Sequence, residues 1–184
     1  MTVYIGLLRA VNVGVGAQVR MEELRGLLRR MGLEEVQTLL QSGNVVFRGP
    51  RGKESELEEL LAEGILREFR VRTEVFVRSA EEWRSVVSGN PFPREAKDDP
   101  SHLVVAALQT APRADRWPAL AAIISGRERV RGFGRHAYIV YPDGIGRSRF
   151  TMARIENCLG TSGTARNWNT VTKLAAIASA MDPS

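Results

Sequence analysis

The spacing of hydrophobic positions predicts a regular succession of strands and helices in the first half of the chain. A continuous apolar run over 3–8 predicts a strand. Apolar positions three and four residues apart predict a helix from Met21 to Met31 and a second helix over 54–69. Shorter apolar runs predict three more strands, over 36–40, 44–47 and 73–77. The resulting order, β-α-β-β-α-β, is that of the ferredoxin-like motif.

A similar succession begins again after residue 102. Apolar runs predict four more strands, over 103–108, 128–133, 135–141 and 163–168. Helical spacing predicts helices over 117–124 and 152–159, and Asn169 is predicted to cap a last helix. We therefore predict an α+β protein of two tandem ferredoxin-like (βαββαβ) subdomains with an extra C-terminal helix.

The change of pattern between the two halves predicts the domain limits. Residues 1–88 form the first subdomain with a short connecting helix, whose start is marked by the capping pattern Ser79-Ala-Glu-Glu82. Residues 89–101 contain three prolines, a glycine and a cluster of charges, so we predict a linker there. Residues 102–184 form the second subdomain with its C-terminal helix.

The composition predicts a globular protein of the cytoplasm. Hydrophobic residues make up 43% of the 184 residues and charged residues 26%, enough to form a core and a solvated surface. No apolar run approaches the ~18 residues of a membrane helix, and the first residues are predicted to form a strand, not a signal peptide. The single cysteine, Cys158, excludes an intrachain disulfide. With only two histidines, His102 and His136, the sequence predicts no metal site, and it indicates no particular cofactor.

The net charge of +5 is unevenly distributed along the chain. Residues 1–126 contain 17 basic and 17 acidic side chains, whereas residues 127–184 contain 9 basic and 4 acidic ones. This excess favours an anion-binding face on the C-terminal part. Arginine accounts for 23 of the 26 basic residues, so a compositional bias towards arginine is the alternative explanation. A bias of that kind should affect both halves.

Two glycine patterns match parts of nucleotide-binding signatures. Asn12-Val-Gly-Val-Gly16 follows a predicted strand, as in the dinucleotide-binding fingerprint, but Val19 stands where the third glycine belongs. Arg131-Gly-Phe-Gly134, followed by Tyr138, resembles part of the RNA-recognition motif, in which aromatic side chains stack on bases. Both matches are incomplete, and a flexible loop and an ordinary hairpin are the alternative interpretations.

The segment 143–150 carries the first group of candidate anion-binding residues. Two glycines, Ser148 and a predicted helix start near Thr151 can direct backbone N–H groups at an anion. Arg147 and Arg149 can add contacts to a phosphate or carboxylate. The alternative interpretation is a turn that caps the helix.

The segment 164–173 places polar side chains around one aromatic ring, Trp168. Its hydrogen-bond donors are Arg166, Asn167, Asn169 and Lys173. These residues could cradle an anion or stack a base. They could also form an ordinary helix start, with Asn169 as the cap and Trp168 as a hydrophobic staple.

Five motifs spread along the chain carry a family resemblance. They are Tyr4-Ile-Gly-Leu-Leu-Arg9 with Asn12-Val-Gly14, Gln41-Ser-Gly-Asn-Val-Val-Phe47, Asn90-Pro-Phe92, Pro142-Asp-Gly-Ile-Gly146 and Arg166-Asn-Trp-Asn-Thr-Val-Thr-Lys-Leu174. Together they resemble the bacterial domain-of-unknown-function family 1697 (DUF1697) over nearly the whole chain. The resemblance implies an α+β fold of two ferredoxin-like subdomains, in agreement with the pattern of elements. It implies no established activity, cofactor or catalytic residue.

Our leading hypothesis is a binding protein whose motif loops meet at one surface and hold an anionic ligand. The ligand would be a nucleotide, the phosphate of a nucleic acid or a phosphorylated metabolite, and its affinity should depend on salt. The predicted ligand-binding residues are Arg9, Asn12, Gln41, Ser42, Asn44, Arg147, Ser148, Arg149, Arg166, Asn167, Trp168, Asn169 and Lys173.

Two alternatives remain open at this point. The first is an enzyme that acts on a phosphorylated or nucleotide substrate at the same loops, which calls for acidic residues beside Arg147 or Arg166. The second is an interaction module that docks a protein partner on an apolar surface around Trp168 and Phe92, which requires that both rings are exposed. The sequence identifies neither a catalytic residue nor an oligomeric state.

Overall fold

Eight strands form two separate antiparallel sheets of four strands each in the computed structural model, which describes residues 1–12 and 18–182. Seven α-helices and one 3-10 turn accompany the sheets within these residues. The chain divides into two compact units. The first unit is Met1–Ser85 with Lys173–Ser184, and the second is Val86–Thr172. The predicted α+β architecture with two subdomains is therefore confirmed.

The first unit contains a sheet of strands β1 to β4 with two helices. Its elements are β1 Thr2–Leu8, α1 Met21–Arg30, β2 Glu34–Leu39, β3 Asn44–Gly49, α2 Glu54–Phe69 and β4 Val75–Ser79. The strand order is β2-β3-β1-β4, so that β1 lies in the interior and pairs antiparallel with both β3 and β4. The ends of β1, β3 and β4 that meet near Leu8 bring the loop after β1, the β2–β3 loop and the start of β4 to one end of the sheet.

The core of the first unit lies between one face of this sheet and the helices. Leu24 of α1 and Leu61 of α2 join Phe47 and Val77 of the sheet in one buried cluster. Residues that face away from this cluster, such as Ile5, are buried as well. Burial on both faces explains why β1 is apolar along its whole length instead of alternating with polar residues.

The second unit contains the other sheet. The elements that follow β4 are α3 Ala80–Ser88, α4 Pro93–Asp98, β5 Leu103–Leu108, α5 Arg116–Ala122, β6 Arg129–Phe133, β7 His136–Val140, α6 Met152–Leu159, β8 Gly163–Asn167 and α7 Trp168–Met181. The strand order β6-β7-β5-β8 repeats that of the first sheet, with β5 in the interior. Helix α7 contributes its residues from Lys173 onwards to the first unit.

The core of the second unit joins the sheet to α5 and α6. Leu120, Ile139 and Ile155 are buried together with Tyr141 and Phe150. The hydroxyl of Tyr141 donates to the carbonyl oxygen of Phe150 at 2.9 Å, and burial raises the pKa of this hydroxyl. The loop between β7 and α6 is thus anchored to the core just before the helix begins.

Two details differ from the sequence predictions. The expected linker 89–101 contains helix α4. Helix α7 begins at Trp168, and its cap is Asn167, whose Oδ1 accepts from the N–H of Thr170 at 3.0 Å, so the prediction of Asn169 as the cap was wrong. The boundary between the two compact units falls within α3 and again within α7. The domain limits at 88 and 102 remain a prediction.

Candidate functional site

The loop predicted to bind an anion joins β7 to α6 in the second unit. It turns at Gly144, where φ is 82°, and then forms the 3-10 turn Ile145–Arg147. Thr151 caps α6 by accepting from the N–H of Arg154 at 3.4 Å, at the residue where the sequence predicted the helix start. The loop therefore runs directly into a helix N-terminus, as the sequence predicted.

Side chains 147 to 149 of this loop point in different directions. Ser148 is half-buried, donates a hydrogen bond to Oε1 of Glu128 and accepts one from the N–H of Phe150 at 2.9 Å. Arg147 and Arg149 are exposed on either side of it, and neither guanidinium forms a hydrogen bond or ion pair with a described residue. The two arginines are available to an anion, whereas Ser148 fixes the loop.

An ion pair lies beside Arg147. Arg127 donates two hydrogen bonds to the carboxylate of Asp143, which lies at the start of the loop. The Arg127 hydrogen bonds lower the pKa of Asp143, and the charges of Arg127, Arg147 and His102 lower it further. Asp143 is thus an acidic residue that interacts electrostatically with Arg147, but its carboxylate already forms an ion pair with Arg127.

Arg166 lies in β8 and is largely engaged with its own strand. Its guanidinium donates to Oγ1 of Thr164 at 2.8 Å and to the carbonyl oxygen of Ala165 at 2.9 Å. Burial lowers the pKa of Arg166 to about 10. Arg166 differs in this respect from the exposed Arg147 and Arg149, although the sequence grouped the three together.

The rest of the 166–173 motif forms a helix start in which four side chains lie in different environments. Asn167 caps α7, Trp168 is buried, and Asn169 and Lys173 are exposed. The N–H of Trp168 donates to the carbonyl oxygen of Pro100 at 3.2 Å. Asn167 and Trp168 therefore have the structural roles of an ordinary capped helix. Of these four side chains, only Asn169 and Lys173 are exposed to a ligand in solution.

Three of the four aromatic rings on which the docking and base-stacking interpretations depend are buried. Phe92 and Trp168 are each only 7% exposed, so the apolar docking surface expected around them is absent. Tyr138 is 3% exposed, and its hydroxyl donates to the carbonyl oxygen of Val86 at 2.7 Å. The stacking face suggested by the RNA-recognition pattern is therefore covered at Tyr138, and Phe133 of that pattern remains exposed.

Asn12 organises the loop after β1 in the first unit. Its side-chain amide donates to the carbonyl oxygens of Val19 at 2.8 Å and of Gln41 at 2.7 Å, and its Oδ1 accepts from the N–H of Val19 at 2.7 Å. The glycine pattern that follows Asn12 lies outside the described residues. Asn12 thus joins two of the predicted loops through hydrogen bonds, which leaves its amide engaged within the protein.

The β2–β3 loop owes its shape to Gly43. Its φ is 75°, and a Cβ at this position would lie 2.5 Å from Cγ2 of Val11, so only glycine fits. Asn44 is buried in β3 and its amide donates to the carbonyl oxygen of Leu39 and to Ser42. A second residue at this turn with positive φ is Leu40, where φ is 60°.

Arg9 faces a cavity of about 490 Å³ in the first unit. The cavity is lined by Arg9, Ala10, Arg72, Thr73 and Glu74. Nη1 of Arg9 lies 2.8 Å from Oε2 of Glu74, and this ion pair balances the charge of Arg9. The side chain of Gln41 is exposed on the neighbouring loop. With Arg9 paired to an acid, this end of the sheet is less suited to an anion than the loop with Arg147 and Arg149.

Within each unit, the structure brings some of the predicted residues together. In the first unit, Asn12 joins Gln41, at the end of the sheet where β1 stops. In the second unit, Val140 and Asn167 pair with the first two residues of β5, which places the 143–150 loop and the start of α7 at one end of that sheet. That all four loops share one surface remains a prediction.

Two residues that contact the 143–150 loop, Glu128 and Arg127, were not predicted from the sequence. They lie in a run of charged residues before β6, and nothing in that run indicates which side chain turns inward. Within the described residues, no three His, Cys, Asp or Glu side chains form a group that could hold a metal ion. None of the described helices has the length and hydropathy that crossing a membrane requires.

The charge of the chain is concentrated on the second unit. Residues 86–172 contain 12 basic and 7 acidic side chains, whereas the first unit contains 14 of each. The whole net charge of +5 therefore belongs to the unit that carries Arg147 and Arg149. A compositional preference for arginine does not explain this, because the first unit is also rich in arginine and is neutral.

A conserved bacterial protein from Streptococcus pneumoniae has a similar fold. The two structures agree with a TM-score of 0.75 over 96% of this chain and 98% of the other, at 21% sequence identity. At this identity the likeness shows the fold alone. The comparison with curated proteins gives no match.

A sequence match identifies the family. The family model described as "Protein of unknown function (DUF1697)" matches residues 1–138, which include the motifs at Arg9, Gln41 and Asn90. The match confirms the resemblance seen in those motifs, and the chain belongs to the DUF1697 family.

Proposed function

We propose that the protein binds a nucleic acid strand through its phosphate groups, on the surface of the second unit that carries Arg147 and Arg149. The observation that carries the proposal is the pair of exposed guanidinium groups on the 143–150 loop, neither of which has a hydrogen-bonding partner among the described residues. They belong to the unit that holds the whole net charge of +5. An excess of unpaired positive charge attracts phosphates and releases their counterions.

The spacing of the two arginines suits a chain of phosphates better than a single one. Ser148 between them is extended, with φ −80° and ψ 141°. Residues two positions apart in an extended chain are separated by roughly 6.6 Å, so each guanidinium can take a separate phosphate. Arg147 and Arg149 are both exposed, and an exposed surface favours a long strand over an enclosed metabolite.

Other exposed groups nearby extend this basic surface. Nη1 of Arg154 donates to the carbonyl oxygen of Arg149 at 3.3 Å, which keeps a third exposed arginine beside the loop. The N-terminus of α6, capped by Thr151, adds a partial positive charge on the same side. Asp143 opposes them, but its charge is already neutralised by Arg127.

For the fold, we propose the finer assignment that each unit is ferredoxin-like. The orders β2-β3-β1-β4 and β6-β7-β5-β8 agree between the two sheets, and each sheet is antiparallel throughout. Each sheet also has two helices that connect strands in the β-α-β-β-α-β order.

The binding proposal is tested by fluorescence anisotropy with a labelled single-stranded RNA and the DNA of the same sequence, over a range of salt concentrations. The decisive variant is Arg147→Ala with Arg149→Ala. Its matched control is Arg51→Ala with Arg67→Ala, which removes two exposed arginines from the first unit. Each lost phosphate contact should flatten the plot of log affinity against log salt by about 0.7 for a single strand.

We expect the slope to fall by about 1.4 in the Arg147/Arg149 variant and to be unchanged in the control. Affinity that does not depend on salt, or an equal loss in both variants, would overturn the proposal. If inorganic pyrophosphate binds more tightly than the oligonucleotides, the ligand is a small phosphorylated molecule and not a nucleic acid.

A further inference from the structure

A second cavity of the second unit lies beside the edge strand β6 and has a volume of about 340 Å³. It is lined by Phe92, Ala121, Ile124, Glu128, Arg129, Val130 and Arg131. Most of these side chains are apolar or are engaged with other groups. Arg129 pairs with Glu95, and its guanidinium carbon lies 5.2 Å from the centre of the Phe92 ring. The cavity thus offers four apolar side chains, two arginines and a single acid.

That acid, Glu128, has one oxygen without a partner. Its Oε1 accepts from Ser148, whereas Oε2 is buried and accepts no hydrogen bond. Gly126 closes one side of the carboxylate, because a Cβ at residue 126 would lie 2.4 Å from Oε2. A buried acceptor without a donor is unfavourable, and a small turn of the carboxylate towards the cavity that Glu128 borders would let it meet a donor there.

The surroundings of Glu128 select the kind of donor. A cationic ligand would be repelled by Arg129 and Arg131 at the same cavity. A neutral, planar group with an amino substituent would find apolar walls and an aromatic residue, Phe92, together with a charged acceptor. A nucleobase that carries an exocyclic amino group has these properties, and its size suits a cavity of this volume.

Ser148 links this cavity to the arginines of the proposed phosphate site. It donates to Glu128 and stands between Arg147 and Arg149 in the chain. We propose that the cavity at Glu128 and Phe92 binds a nucleobase with an exocyclic amino group, which Glu128 recognises as an acceptor. The inference rests on the proposed function for the class of ligand, and it adds a base-specific site to a phosphate-binding surface.

Uncharged nucleosides separate this inference from the phosphate proposal, because they carry no phosphate for Arg147 or Arg149. Binding of adenosine, guanosine and cytidine is measured by calorimetry, with purine riboside and inosine as counterparts of the first two without the amino group. We expect at least one amino nucleoside to bind about tenfold tighter than its counterpart, as a hydrogen bond to a charged acceptor provides.

The decisive variants are Glu128→Ala and Glu128→Gln, with Arg147→Ala as the control. In Glu128→Ala the preference for the amino nucleoside should fall to about one, and Glu128→Gln should be intermediate, since its side-chain oxygen can still accept. A general loss of structure would weaken both nucleosides of a pair equally, so the ratio is the informative quantity. Arg147→Ala should weaken the oligonucleotide and leave the nucleoside ratio unchanged.

Two results would overturn the inference while leaving the phosphate proposal intact. One is the absence of nucleoside binding at millimolar concentration by a protein that binds oligonucleotides. The other is an amino preference that persists in Glu128→Ala. Nucleoside discrimination without oligonucleotide binding would instead support the cavity and refute the phosphate site.

Discussion

Glu58 and Arg78 form an ion pair inside the first unit, with Oε1 of Glu58 3.5 Å from Nη1 of Arg78 and both side chains almost completely buried. The same Oε1 accepts from the backbone N–H of Val77 at 2.8 Å. One helical turn earlier, Glu54 accepts from the N–H of Ser79 at 2.7 Å. Two glutamates of α2 therefore bind the outward N–H groups of β4, the edge strand of the first sheet, and protect that edge from pairing with another chain.

The first prediction concerns this edge. Glu58→Ala leaves the N–H of Val77 unpaired and removes one acidic partner of the buried Arg78. Arg78 keeps the half-buried Glu82 at 3.5 Å and its hydrogen bond to the carbonyl oxygen of Val77 at 2.7 Å. We expect the free energy of unfolding to fall by about 3–5 kcal/mol, the cost of breaking a buried ion pair. Glu54→Ala removes one hydrogen bond at a less buried position and should cost about 1–2 kcal/mol. Urea unfolding measures both.

Glu59→Ala is the matched control for this edge, because Glu59 is the exposed neighbour of Glu58 on α2. Its unfolding free energy should stay within about 0.5 kcal/mol of the parent protein. If Glu58→Ala costs no more than Glu59→Ala, the ion pair and the edge hydrogen bond contribute nothing to stability, and Glu58 does not stabilise the edge at β4.

The second prediction concerns Asn12, which the sequence proposed as a ligand-binding residue. Its three hydrogen bonds hold the loop after β1, and its φ of 58° lies in the left-handed region that asparagine and glycine tolerate. Asn12→Ala should therefore destabilise the protein by about 2–3 kcal/mol and accelerate hydrogen exchange at the N–H of Val19. Asn12→Gly keeps the backbone conformation, so its smaller loss isolates the contribution of the amide. Equal losses in the two variants would mean that the left-handed backbone conformation adds no cost, and an unchanged stability in Asn12→Gly would mean that the hydrogen bonds of the amide contribute nothing.

The order of elements could be predicted from the sequence because burial leaves a periodic signal. The apolar runs of β1 and β5 and the helical spacing at Leu57, Leu61 and Ile65 correspond to the observed core. The first and last residues of the helices and strands were less well predicted. At α7, for example, Asn167 and Asn169 are equally suitable caps in the sequence, and only the folded backbone shows that Asn167 has this role.

The candidate site was harder to predict, because asparagine, serine and glycine serve turns and ligands equally well. Asn44 and Ser148 had the composition of a binding loop, yet both fix the backbone around them. Pairings such as that of Arg9 with Glu74 join residues 65 positions apart, and no local pattern shows which arginines are balanced in this way. The exposed Arg147 and Arg149 differ from Arg9 and Arg166 only in the folded protein.

The third prediction concerns acid stability. Because Arg127 lowers the pKa of Asp143 below the ordinary value of 3.8, the pair stabilises the folded protein above pH 3.8 and loses this effect as the pH falls through the lowered pKa. Asp143→Asn should therefore lower the melting temperature slightly at pH 7, and the difference from the parent protein should decline below pH 3.8 and vanish once the pH is below the lowered pKa of Asp143. High salt should reduce the difference at pH 7, because both side chains are exposed.

Asp98→Asn is the control for acid stability, since Asp98 is exposed and has no ion-pair partner among the described residues. Its melting temperature should follow that of the parent protein at every pH. Asp143→Asn has a second expected effect, because it frees Arg127 beside Arg147 and should tighten oligonucleotide binding at low salt. A pH-independent difference in melting temperature would show that Asp143 acts through its shape and not through its charge.

The last prediction concerns Arg166, whose pKa is lowered to about 10 by burial. Between this value and the ordinary 12.5 the unfolded chain holds a proton that the folded protein has lost, so the cost of burying the charge declines as the pH rises. Arg166→Met removes that cost at every pH. The stability advantage of the variant should therefore shrink, or its deficit should grow, by about 1 kcal/mol between pH 8 and pH 11. Urea unfolding of both proteins at several pH values measures the difference, in which the titration of other groups cancels.

Since Arg166 donates to Thr164 and Ala165, the oligonucleotide affinity of Arg166→Met at neutral pH should stay within about twofold of the parent value. This change is far smaller than the loss expected in the Arg147/Arg149 variant. A loss of affinity in Arg166→Met as large as in the Arg147/Arg149 variant would place Arg166 in the binding surface.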